Sequence, residues 1–309
     1  MPTVTAKGTD TATQSTDSSA TESSKPIGSR PDLNTAQDVF LREQEVILKP
    51  NQITLEVDVF YTKIEQAGVG IINIEGGNFV STSNTDQDIV TSIYTIRVGL
   101  PFDAQAVASI PLLYQESNST DTVAGGTVSQ NVQSDLTEFG DLILELNQTA
   151  IREKSGIPSI LLRIETRIPT RLSSYAAGGG IALVKQFDPA ALFSSVNYRY
   201  VFSRHFVDVT RLQPNHIIDV QAGFALSMND TLALNASVIG VFTSAKKFNN
   251  PIQTQLQSSE TISLRLGLTA YISEALYVEP SVEFSLTEPS SVTVGVSFPY
   301  TFFLPSIFD

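Results

Sequence analysis

Cysteine and tryptophan are absent from this chain of 309 residues, histidine occurs only twice, and Lys and Arg number 19 against 32 Asp and Glu. Without cysteine there is no disulfide framework and no thiolate metal site. The formal net charge of -13 and the pI of about 4.6 argue against a nucleic-acid partner, which needs a basic surface to meet phosphate. His205 and His216 stand in one polar stretch with no further convergent ligands, so they read as loop residues and no metal site is expected. No histidine can be placed beside a nucleophile and an orienting group, so the chain does not read as an enzyme, and nothing in it calls for a cofactor. Long apolar runs are missing too. No segment approaches 18 apolar residues and mean hydropathy is only +0.05, which excludes a transmembrane helix. Met1 to Ala20 has a single lysine and no apolar core, so it does not read as a signal peptide.

What the chain does have is a period of two. From Glu260 to Phe303, Ile262, Leu264, Leu266 and Leu268 alternate with Ser263, Arg265, Gly267 and Thr269, and two further segments repeat the pattern across tight turns. Such alternation puts all apolar side chains on one face of a strand. The same reading gives twelve strands, at 51–63, 88–100, 105–116, 136–151, 157–169, 173–187, 191–203, 217–228, 231–243, 260–272, 275–286 and 290–303. Asp103, Arg152 to Gly156, Asp188-Pro189, Asn229-Asp230 and Ser273-Glu274 mark short turns. Between them fall the connections 64–87, 117–135, 170–172, 204–216 and 244–259, mostly long and rich in Ser, Thr, Asn, Gln or Gly, with 69–75 as an apolar piece inside the first. Short turns on one rim, long loops on the other and an even strand count describe an outer-membrane barrel, whose strands of about ten residues cross roughly 25 Å of hydrocarbon.

A soluble β-protein also alternates, and the acidic charge keeps that reading open. Charge placement favours lipid. The apolar phases of 53–61, 160–168 and 218–226 carry no charge, where a mid-bilayer Lys or Arg costs about 2–4 kcal/mol. The other phase carries Glu56, Asp58, Arg97, Asp141, Glu145, Arg163, Glu165, Arg167, Arg199, Asp219, Arg265, Glu279 and Glu283. These are the candidate lumen-lining residues. They could form a selectivity ladder; because both signs occur, pairing between neighbouring strands is the more economical account. With acids in excess, an open pore should prefer cations weakly. Aromatics at strand ends (Tyr61, Phe102, Tyr114, Phe187, Phe202, Phe242, Tyr271 and Phe302) suggest interfacial girdles. Gly178-Gly179-Gly180 reads as a flexible loop tip, and the strand glycines Gly99, Gly223, Gly240, Gly267 and Gly295 as points of bending or close approach.

Ahead of the strands, residues 1–33 read as a disordered polar tail. Asn34 is a candidate N-cap for an amphipathic helix over 34–50 with Val39, Phe40, Val46 and Ile47 on one face. It could pack on the periplasmic rim or plug the lumen. Residues 51–303 form the barrel, and 304–309 a C-terminal tail.

Several stretches, VFLREQEVILKPNQITLEVDVFY, FGDLILELNQTAI, IPSILLRIETRIPT, IALVKQFDPAALFSSVNYRYVF, DVQAGFALSMNDTLALNASVIGVFT and ETISLRLGLTAYISEALYVEPSVEFSLTEPSSVTVGVSFPYTF, follow one another in order over residues 39–303. Together they resemble the twelve-stranded outer-membrane proteins grouped with the functional-amyloid (Fap) secretion channel and the transporter-like family of the MetA pathway of phenol degradation. The resemblance implies a Gram-negative outer-membrane pore, a plugging segment before the first strand and, by analogy with the amyloid exporter, a trimer. Unlike that exporter, only the tail and one short helix precede Asn51 here. The expectation is therefore an all-β, closed antiparallel transmembrane barrel of about twelve strands with a short N-terminal helix. Its partners would be outer-membrane lipid and a small solute or exported polypeptide. The rival is a non-conducting barrel whose long loops carry recognition.

Overall fold

The computed structural model describes residues 47–303 apart from 75–76, 124–128, 155, 171–173, 206–210, 213, 230, 246–247, 250–257 and 274. The tails 1–33 and 304–309 lie outside the described residues, as does the expected helix up to residue 46. Residues 47–50 are not helical.

The described residues form sixteen strands: β1 (Gln52–Ile74), β2 (Gly77–Leu100), β3 (Ala104–Val123), β4 (Ser129–Phe139), β5 (Leu142–Ile151), β6 (Ser159–Ile168), β7 (Ala176–Phe187), β8 (Ala190–Val201), β9 (Arg204–His205), β10 (Arg211–Leu212), β11 (Asn215–Ser227), β12 (Leu232–Thr243), β13 (Phe248–Asn249), β14 (Ser259–Tyr271), β15 (Tyr277–Ser285) and β16 (Ser290–Phe303). Twelve of them close a ring in the order β1, β2, β3, β5, β6, β7, β8, β11, β12, β14, β15, β16, every pair antiparallel. The seam joins the two ends of the chain, with Gln52 opposite Phe303 and Glu65 opposite Ser290. The three short strands β9, β10 and β13 pair with one another in the connections at the long-loop rim.

The core is inverted relative to a soluble protein. Thr54, Glu56, Asp58, Gln105, Asn147, Glu165, Arg199, Asn235, Thr269 and Glu279 are buried inside the ring. Leu55, Val57, Val59, Ile164, Val196, Phe224, Val294 and Phe298 face outward and exposed. An apolar belt running round the whole circumference is far larger than water tolerates, so this surface belongs in a bilayer. Inside, hydroxyls pair across strands. Thr54 meets Thr301 and Thr62 meets Thr293, each at 2.8 Å, which ties the seam on its wet side. Of the aromatics expected in girdles, Tyr61, Phe102, Tyr114, Phe187, Phe202 and Phe242 are exposed, whereas Tyr271 falls on the inward phase of β14.

Three expectations are corrected. Connections 64–87 and 117–135 are not open loops: β1 and β2 run on together to Ile74 and Gly77, and β3 and β4 to Thr122 and Ser129. Residues 69–74 are simply the end of β1. Above the membrane neither face needs to be apolar, so period two disappears while the backbone ladder continues through Ser- and Thr-rich sequence. The result is a four-stranded sheet rising beyond the rim, since β16 leaves β1 at Glu65 and β4 pairs only with β3. Second, 136–151 is broken at Gly140-Asp141, where Gly140 N–H donates to Pro111 O at 2.8 Å and the wall position passes from β4 to β5. Third, Gly178 to Gly180 lie inside β7 and not at a loop tip.

Placing a charge on the belt tests the orientation of the wall. Val57→Arg should destabilise the folded barrel by about 2–4 kcal/mol in lipid, measured by reversible denaturant unfolding from vesicles; an unchanged midpoint would contradict the assignment of that face.

Candidate channel lining

Strand parity puts the candidate lining residues other than Asp141 on the inward phase of the wall, and the register brings most of them together. Arg97 of β2 donates to Glu56 of β1 at 3.1 Å through Nε and approaches it at 2.8 Å through a terminal nitrogen. Arg265 of β14 donates to Glu283 of β15 at 2.9 Å, and Ser263 holds the other carboxylate oxygen at 2.6 Å. The largest group spans five neighbouring strands. Arg163 of β6 lies 3.5 Å from Glu145 of β5 and donates to Asn147 at 3.2 Å; Arg167 meets Glu165 on its own strand at 2.6 Å; Arg199 of β8 reaches Glu165 at 3.4 Å and also bonds Asp219 of β11. Asp141 lies at the break before β5.

Arg199 and Glu165 are not on adjacent strands. Gly178 of β7 lies between them, paired with both. A Cβ at Gly178 would sit 2.2 Å from Tyr198 O and 2.7 Å from Arg199 Cγ, so only glycine lets the arginine lie flat across β7. The same device recurs at Gly267 of β14. Asn235 of β12 crosses it to donate to Glu279 of β15 at 3.1 Å, where Thr269 donates to the second carboxylate oxygen, also at 3.1 Å. At Gly295 of β16 the ring of Phe60 fills the gap, 6.0 Å from the Arg265 guanidinium. Long side chains therefore run along the wall and not across the lumen. Each arginine is matched by carboxylate and Glu279 is held by neutral donors, so the lining keeps its acidic excess.

The short-turn end of the lumen is different. Leu161, Ala182, Val184, Ala191, Phe193 and Ala225 form a buried apolar cluster on β6, β7, β8 and β11, and Ile47 packs against it. Those strands stand across the ring from β1. On the near side Leu48 is buried and its N–H donates to Gln105 Oε1 of β3 at 3.0 Å, while a Cβ on Gly99 of β2 would strike Lys49 O at 2.0 Å. Residues 47–49 thus lie at the floor of the lumen, Ile47 towards the cluster and Leu48 and Lys49 against β3 and β2, before the chain turns into β1. Of the candidate plug residues, Ile47 is placed here; Val39, Phe40 and Val46 lie outside the described residues. His216 is not in a loop: it opens β11 on the outward phase, and His205 is in β9. Sequence reasoning missed Gln105, Asn235 and the apolar cluster. The available signal was Phe60, Leu161 and Phe193, each an apolar residue on the wet phase of its strand.

If Gly267 exists to let Asn235 pass, Gly267→Ala should destabilise the barrel by about 1–3 kcal/mol in the wild-type background and by much less when combined with Asn235→Ala. Equal losses in the two backgrounds, by denaturant unfolding, would contradict that account.

No family model matches this sequence. Among solved structures, the COG4313 outer membrane channel from Pseudomonas putida F1 superposes with a TM-score of 0.59 at 11% identity, over 84% of this chain and 98% of that one. The translocator domain of the autotransporter NalP from Neisseria meningitidis gives 0.47 at 10% identity, over 87% and 99%. The transport unit of the autotransporter AIDA-I from Escherichia coli gives 0.45 at 11%, over 87% and 97%. The likeness to the first is one of fold, a closed antiparallel β-barrel, and agrees with the ring of twelve strands and the outward apolar belt described above.

Proposed function

We propose that the chain is a channel for a small solute in the outer membrane of a Gram-negative bacterium, gated by the segment that precedes β1. The observation that carries the reading is the course of residues 47–49. A stretch that only led into the first strand would stay at the wall, yet Ile47 sits against the apolar cluster on the far side while Leu48 is held by Gln105. Twelve strands enclose more space than an eight-stranded barrel, whose interior is filled by its own side chains, so what lies in the lumen sets the conductance. The side chains that lie over Gly178, Gly267 and Gly295 support this reading, because they run along the wall. In this reading Val39, Phe40 and Val46 continue the plug, and the charged wall above the floor, with its excess of carboxylate, is the lining that the permeant solute meets. No catalytic step is assigned to it.

A second reading has one specific observation behind it. The sheet made by the ends of β1 to β4 extends β1 nine residues past its last partner on β16, about 30 Å along the strand. Among the described residues its two outer edges have no strand partner, and such edges can recruit other chains. A non-conducting recognition barrel would use that sheet.

Current through a planar bilayer separates the two. Removing residues 1–48 should raise single-channel conductance, and the truncated pore under a salt gradient should show a reversal potential of weak cation preference. Unchanged current would remove the plug, clear anion preference would remove the role given to the lining, and silence from inserted, folded barrels of both lengths would favour recognition.

A further inference from the structure

The outward face carries a concavity unrelated to the lumen. At the long-loop rim, His216, Ile218, Phe242, Ser244, Ser258 and Glu260 line a cleft of about 560 Å³, within the range of roughly 300–1,000 Å³ typical of ligand sites. Its two levels follow from the register. Tyr198 of β8, Ile218 of β11, Phe242 of β12 and Glu260 of β14 are successive partners and make the lower row. Tyr200, His216 and Ser244, with Ser258 beyond, make the upper row two residues higher, about 7 Å nearer the aqueous side. His216 N–H donates to Ser244 Oγ at 2.8 Å, Ser244 N–H donates to His216 O at 2.9 Å, and the Tyr198 hydroxyl is hydrogen-bonded to His216 Nδ1 at 2.7 Å with the two rings stacked at 5.9 Å. These contacts fix the imidazole through Nδ1 at the edge of the cleft. The space itself depends on Gly240: a Cβ there would lie 3.1 Å from the Phe242 ring, which lies down against the wall over the glycine instead of standing up into the cleft.

We propose that this cleft seats a glycolipid, its sugar on the upper row and its acyl chain along Ile218 and Phe242. The position requires an amphiphile, since apolar side chains sit below and polar ones above at the level where the strands leave hydrocarbon. The lining requires that the head be uncharged and rich in hydroxyls. No Lys or Arg is among the described lining residues and Glu260 repels phosphate, whereas the serine hydroxyls and the imidazole exchange hydrogen bonds with hydroxyls. The inference rests on the barrel's seat in a bilayer and not on conduction, so its failure leaves the channel reading untouched.

The test uses the full chain in lipid nanodiscs holding equal amounts of a monohexosyl diacylglycerol and phosphatidylglycerol with the same acyl chains, with retained lipid counted by native mass spectrometry. Wild type should keep the glycolipid several-fold in preference. His216→Leu, which removes the polar head contact, and Gly240→Leu, which pushes Phe242 into the cleft, should each bring retention to parity, while Leu55→Val on the far wall should change nothing. Parity in wild type, preference for the phospholipid, or a preference that survives both substitutions in barrels shown folded by heat-modifiable gel migration overturns the proposal.

Discussion

Hydrocarbon offers no partner to an amide, so every N–H and C=O that crosses the membrane must be paired within the protein. The seam between β1 and β16 meets that demand: fourteen consecutive residue pairs, from Gln52 with Phe303 to Glu65 with Ser290, close a ladder that would otherwise end in two bare edges. Once the ring is closed, parity does the rest. Each strand turns one phase, with residues such as Val57, Val196 and Phe298, to lipid and the other inward. Where the strands leave the membrane the demand lapses, and β1 to β4 climb on as a sheet with open edges.

Inside the ring the constraint is space. A wall of this circumference lined by arginine and glutamate could fill itself with side chains reaching inward. Glycine on the inward phase prevents this by giving long side chains a surface to lie on. Arg199 lies over Gly178, Asn235 over Gly267 and Phe60 over Gly295, and in two of the three cases the crossing side chain ends on a carboxylate two strands away. The ion pairs and the side chains that lie along the wall are therefore consequences of the same placement. The floor works in the opposite sense: Gly99 admits backbone, and Ile47 packs against the cluster that includes Phe193.

Much of this was legible in the sequence because lipid imposes a strict period. The twelve wall positions, both rims and the inward phase of Glu56, Arg163 and Glu279 follow from alternation. The extensions to Ile74 and Val123 were not legible, because Ser, Thr and Asn pair on a ladder as readily as they mark a loop once neither face must be apolar. The glycine run in β7 was misread for a related reason: composition says that glycine tolerates any conformation, but only the register with Glu165 and Arg199 shows that the missing Cβ is what the wall needs. His216 looked like a loop residue until pairing with Tyr200 placed it on a strand. Apolar residues on the wet phase, Leu161 and Phe193 above all, were the one overlooked signal of a lumen floor.

The central claim is that the chain crosses its own lumen before β1, and the absence of native cysteine makes it directly testable. With Ile47→Cys and Phe193→Cys introduced together, a short cleavable thiol-to-thiol reagent should bridge the two within a single folded barrel. The bridged form should pass little current in a planar bilayer until the bridge is cut. A folded barrel in which the two thiols cannot be joined, or whose current ignores the bridge, would contradict the account.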